Sequence, residues 1–142
     1  RRPLTEAGRK KMRKGANRLR TQVPAVDLLA SSTLVRARET AAIVARAYGD
    51  LALLERNDLA PDSEQDSLLS WLSEQPGAVV ALVGHEPHLG LLSGTLLTGS
   101  PRHLIAFKKG GVACLEFKDR PAPGQGRLRW VLTAGQLRSL KD

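Results

Sequence analysis

Apolar and polar positions along the chain change period several times, and each change marks an element. Val79-Val80-Ala81-Leu82-Val83 is a continuous apolar run closed by Gly84, His85, Glu86 and Pro87. So short a run without alternation predicts a strand over 78–83 buried on both faces, as in a parallel sheet flanked by helices. Val26-Asp27-Leu28-Leu29-Ala30 and the segment 51–55 predict two further strands. Between them the apolar residues fall into helical spacing. Thr5 is an N-cap for a first helix with a thin stripe of Met12, Ala16 and Leu19. Leu34, Ala37, Ala41, Val44 and Ala45 line a second helix over 34–47 that stops near Gly49. A third helix is predicted over 63–74 and a fourth over 87–97. Short strands alternating with helices predict an α/β fold, a three-layer sandwich with a mostly parallel central sheet and helices on both faces.

The last third changes character. Segments 103–107, 112–117 and 127–132 read as three strands, and Gly110-Gly111 reads as a two-residue hairpin joining the first two. Pro121-Ala122-Pro123-Gly124-Gln125-Gly126 is a loop. Antiparallel edge strands on an otherwise parallel sheet are common in this class. With neither an internal repeat nor a linker, 1–142 is read as a single domain.

Charge narrows the choice of partners. The chain carries 22 Lys and Arg against 14 Asp and Glu, a net charge of +8. Residues 1–20 hold nine of those basic residues and one acid, so the excess belongs to the first helix and the remainder is neutral. No aromatic residue is interleaved with these charges, which argues against a stacking surface for nucleic acid. The expected role is a solvated helix face, with steering of an acidic or phosphorylated partner as the alternative. No apolar run approaches a membrane span and nothing resembles a secretory signal, so a cytoplasmic protein without a membrane partner is expected. Cys114, the single cysteine, lies in an apolar stretch and reads as a small core residue. No Cys/His cluster has zinc spacing, and neither metal nor cofactor is expected.

Two strand ends carry the candidate chemistry. His85 follows the buried strand at the edge where α/β sheets place their ligands. Arg36 and Arg38 open the helix after Ser31-Ser32-Thr33. A helix N-terminus favours an anion, and an arginine adds a planar bidentate donor for phosphate. Two residues apart, the arginines cannot share a helix face, so at most one points into a site. His88 reads as a surface or capping residue, and His103 is set aside. Asp58 and Asp62 lie in a loop that could exchange protons with a ligand, although a solvated acid is the ordinary reading.

Five segments then occur in an order that resembles the histidine phosphatase superfamily, above all its SixA-type phosphohistidine phosphatases. They are Arg2-Pro3-Leu4-Thr5-Glu6-Ala7-Gly8, Ser31 to Ala41, Asn57-Asp58-Leu59-Ala60-Pro61, Val83-Gly84-His85-Glu86-Pro87 and Phe107-Lys108-Lys109-Gly110-Gly111. The resemblance implies a phosphoglycerate mutase-like fold and a metal-independent phosphatase. In this mechanism a histidine of an Arg-His-Gly motif on the first strand attacks phosphorus, and the phosphoenzyme is hydrolysed. A second histidine and two arginines hold the phosphoryl oxygens. His85 resembles that second histidine, Arg36 resembles the downstream arginine, and Asp58 is a candidate general acid. Residues 1–142 contain no Arg-His-Gly. The first strand and its nucleophile are therefore expected upstream of Arg1, and the chain alone is expected to be inactive. The substrate expected is a phosphorylated protein histidine or a small phosphate. A catalytically silent phosphate-binding or regulatory module and a basic partner-binding domain are the alternatives.

Overall fold

The computed structural model describes residues 3–141; Arg1 and Arg2, which open the basic run and the first of the five segments, lie outside them. The elements follow as α1 (Glu6–Gln22), β1 (Leu28–Ser31), α2 (Val35–Ala47), β2 (Leu53–Glu55), a 3-10 turn (Asn57–Leu59), α3 (Asp66–Ser73), β3 (Val80–Val83), α4 (His88–Thr98), β4 (Val112–Glu116), β5 (Arg127–Leu132) and α5 (Ala134–Arg138). β2, β1 and β3 form a parallel sheet in that order, with Leu29 opposite both Leu53 and Ala81. β4 and β5 form an antiparallel pair of their own.

The period of two in the strands builds the layers. Leu29, Leu53, Ala81 and Val83 pack with Ala16 of α1 and with Val44 and Ala45 of α2. Ala30, Val80 and Leu82 belong to the other core, with Leu68 and Leu72 of α3 and Leu92 and Leu96 of α4. A three-layer α/β sandwich results. Leu29 and Leu68 are fully buried, and each such leucine contributes roughly 1.5–3 kcal/mol by leaving water.

The tail departs from its expected form. Segment 103–107 is not a strand. It is a strap laid across α4, where Gly90 and Gly94 bring the backbone of 102–105 within reach: a Cβ on Gly94 would stand 1.7 Å from the Arg102 carbonyl oxygen. Its apolar residues therefore do not signal ladder pairing. Leu104 is exposed while Ile105 is buried. Gly110-Gly111 forms no hairpin either; the Gly111 amide closes a turn on the Lys108 carbonyl at 2.9 Å. The short α5, begun by a Thr133–Gln136 capping box, packs its Leu137 against Gly15 of α1 and was not expected from the pattern. Among the described residues, no helix is long and apolar enough to cross a membrane.

Candidate active site

Parallel pairing brings the two predicted strand ends together. Ser31 lies opposite Val83, and the Ser32 amide donates to the Val83 carbonyl at 3.0 Å, carrying the contact one residue past the sheet. The next side chains meet there: Ser32 Oγ is 2.5 Å from His85 Nε2. Ser32 is fully buried, and its Oγ accepts from the Leu34 amide at 3.3 Å. Burial above all holds the His85 ring below the ordinary histidine pKa, and the charge of neighbouring His88 adds to it. A neutral ring with its proton on Nδ1 presents Nε2 as an acceptor for the Ser32 hydroxyl.

Arg36 lies in the first turn of α2, half-buried, whereas Arg38 is exposed. Arg36 is thus the better covered of the two. Among the described residues no side chain caps α2, whose N-cap is Leu34. Its first-turn amides and positive dipole end stand beside Arg36 at the sheet edge that also carries His85. Glu39, further along the same helix, is occupied: its two oxygens accept from the Leu4 amide and from Arg9 Nη2, each at 2.6 Å.

Asp58 is held differently from what a general acid requires. Arg56 grips both carboxylate oxygens, Nε at 3.0 Å and Nη2 at 2.7 Å, and the Ser67 hydroxyl donates to Oδ2 at 2.8 Å. The guanidinium also lies 4.6 Å from the centroid of the Trp71 ring, a cation–π contact. Burial alone would raise the Asp58 pKa, but the hydrogen bonds from Arg56 and Ser67 and the Arg56 charge prevail and lower it. At neutral pH Asp58 is a carboxylate with both oxygens engaged. Asp62 is exposed.

Glu86, next to His85, anchors the neighbourhood. Its Oε1 accepts from the Gly90 amide at 2.6 Å, and its Oε2 accepts from the Phe107 amide and meets His103 Nε2, both at 2.8 Å. His103, set aside in the sequence, therefore pins the strap to the turn that carries His85. His88 is neither on the surface nor a cap. It is 2% exposed, and neither ring nitrogen has a hydrogen-bond partner among the described residues. Burial lowers its pKa, opposed by the Asp58 charge. Cys114 is half-buried opposite Trp130, and burial pushes its thiol pKa up, away from thiolate chemistry.

Strand-end reasoning pointed to His85 and Arg36, and it did not anticipate the contacts made by Ser32, Arg56 and Glu86. For Arg56, the Arg-x-Asp spacing before a tight turn was a usable signal. For Ser32 no local signal exists, since its partner lies 53 residues away.

Comparison with known proteins bears on the family and the fold. Residues 2–60 match the family model of the histidine phosphatase superfamily (branch 1). An uncharacterized protein of Picosynechococcus sp. (strain ATCC 27264 / PCC 7002 / PR-6) is 33% identical over 114 residues, covering 78% of this chain and 69% of its own. Among solved structures, the protein histidine phosphatase SixA complexed with tungstate superposes with a TM-score of 0.81 at 23% identity, over 96% of this chain and 86% of that one. A candidate SixA phosphohistidine phosphatase from Nakamurella multipartitia gives 0.68 at 26% identity, over 92% and 84%. With the α/β sandwich, the matched motifs and the 33% identical relative together, the chain belongs to the histidine phosphatase superfamily.

Proposed function

We propose that this chain supplies most of a SixA-type phosphohistidine phosphatase, in which Arg36 and His85 hold the phosphoryl group during transfer from a phosphorylated protein histidine. The observation that carries this reading is the meeting of His85 and Ser32 past two adjacent parallel strands, beside the uncapped start of α2 with Arg36 in its first turn. Phosphoryl transfer depends mainly on positioning and on balancing charge on the equatorial oxygens. A guanidinium, an imidazole and free helix amides supply those functions without a metal. This reading needs a nucleophilic histidine on a further strand, and β3, paired with β1 alone among the described residues, offers such a strand an edge. Asp58 is not the proton donor in this scheme. The substrate histidine is a good leaving group when the P–N bond breaks with its ring protonated, so no strong protein acid is required.

The pH behaviour gives the test its sign. Free His85 is depressed below the ordinary 6.5, whereas a bound phosphate dianion stabilises the imidazolium. NMR titration of the histidine rings is therefore expected to show the His85 midpoint rising when inorganic phosphate is added, with EDTA making no difference. Arg36→Ala should weaken that binding at least about tenfold, a loss of ~1.4 kcal/mol. The ³¹P spectrum of the same sample should contain no phosphohistidine, because residues 1–142 lack the nucleophile. A His85 midpoint indifferent to phosphate would end the proposal.

A further inference from the structure

Three acids around the site are neutralised, while several basic side chains on an adjoining surface are not. Glu39 is held by the Leu4 amide and Arg9, Asp58 by Arg56 and Ser67, and Glu86 by two amides and His103. On α1, Lys10, Lys11 and Lys14 are exposed and make no ion pair among the described residues, and Arg13 reaches Glu6 only at 3.9 Å. Lys10 and Lys14 are one turn apart, on the side of α1 opposite the Met12-Gly15-Ala16-Leu19 stripe that packs inward. The Glu39 contacts set the start of α1 beside the start of α2, the end that bears Arg36.

A second group of charges joins from the other side. Glu86 fixes Phe107, so exposed Lys108 and Lys109 follow directly from the turn next to His85. Gly110 then packs against Ala134 of α5, and α5 reaches α1 through Leu137 and Gly15. Two of the connections at the site edge are short, 32–34 between β1 and α2 and 84–87 between β3 and α4. The longer third, 56–65 between β2 and α3, comes against the Gly84 turn at Leu59.

We propose that the exposed face of α1 and the Lys108-Lys109 turn form a docking surface for an acidic protein. That protein presents its phosphorylated side chain to Arg36 and His85. This rests on the phosphatase reading and adds the substrate class: a protein with acidic residues flanking the phosphorylated position. Charge complementarity selects the partner and speeds encounter. Nucleic acid fits less well. α1 carries no aromatic residue, so its exposed lysines are not interleaved with rings for base stacking.

The test compares two synthetic peptides that carry the same non-hydrolysable phosphohistidine analogue, one with acidic and one with neutral flanks. Fluorescence anisotropy at low salt should show the acidic peptide binding about tenfold more tightly, with the advantage fading once the Debye length drops below about 10 Å. Lys10→Glu with Lys14→Glu should abolish that advantage and leave inorganic phosphate binding intact. Lys10→Gln with Lys14→Gln should remove part of it, a control for any folding defect in the reversed variant. Equal affinity of the two peptides while phosphate still binds would overturn the docking surface alone. A single-stranded RNA that displaces the acidic peptide at equal charge would overturn it too. Failure of wild-type protein to bind phosphate, with the flank preference kept, would overturn the site reading and leave the docking surface standing.

Discussion

Asp58 and its neighbours illustrate how one turn converts a candidate acid into a structural carboxylate. The 3-10 turn over 57–59 folds Arg56 back onto Asp58 two residues later, and α3 adds Ser67. A folded-state pKa below the ordinary 3.8 means the unfolded chain binds the proton more readily. The stability this confers is present above 3.8 and is lost as pH falls through the lower, folded value. Asp58→Asn should therefore cost about 1–3 kcal/mol at neutral pH, as expected for removing one charged partner from a hydrogen-bonded pair. The gap from wild type should close well below pH 3.8. Urea denaturation at the two pH values checks this, and a variant as stable as wild type at neutral pH would contradict the structural role. At this scale the sequence is informative where chemistry is punctuated. Glycine, histidine and proline after an apolar run exposed His85. It is silent where side chains meet over long separations, as Ser32 and His85 do.

Elements were legible in proportion to how local their causes are. The helices and strands of the parallel sheet follow from apolar spacing alone, and their bounds fall within a few residues of expectation. The strap over 102–107 misled because Leu104, Ile105 and Phe107 look like a strand. Its backbone is instead received by Glu86 and by the two glycines of α4, features that lie in other segments. Those glycines set two effects against each other. Replacing an interior helical glycine with alanine favours the helix by about 1 kcal/mol. At Gly94 the new methyl would stand 1.7 Å from a backbone carbonyl, and overpacking costs typically 1–3 kcal/mol. Gly94→Ala should thus destabilise the protein, because the obstructing atom is main chain and cannot rotate away. Gly135→Ala, in α5 where nothing lies within 4 Å, should be neutral or stabilising. Thermal melting of the two variants gives opposite signs if the strap is packed as described, and a stabilised Gly94→Ala would show that it is not.

At the scale of the whole molecule, the two ladders explain both the stability and the reach of the site. β1 is paired on both sides, and three of its four residues are buried. β3, although made only of Val, Ala and Leu, is half-buried throughout and pairs with β1 alone among the described residues. The Val79 and Val83 carbonyls accept from Leu28 and Ser32, so by alternation Ala81 also faces β1 while Val80 and Leu82 present their amides to the other edge. An apolar strand with one open edge is a template for another strand. The composition of 79–83 predicted burial on both faces; both faces do pack against helices, but β3 is only half-buried and Val79 is exposed, and composition did not specify the edge. This arrangement makes hydrogen exchange a direct reading of the proposed nucleophile strand. In residues 1–142 the Val80 and Leu82 amides should exchange much faster than those of Ala81 and Val83. Addition of an apolar peptide ending in Arg-His-Gly should slow Val80 and Leu82 selectively and enable phosphohistidine formation. Protection at Val80 and Leu82 without added peptide would mean that the edge is already occupied. The nucleophile would then have to approach His85 and Arg36 from a different element.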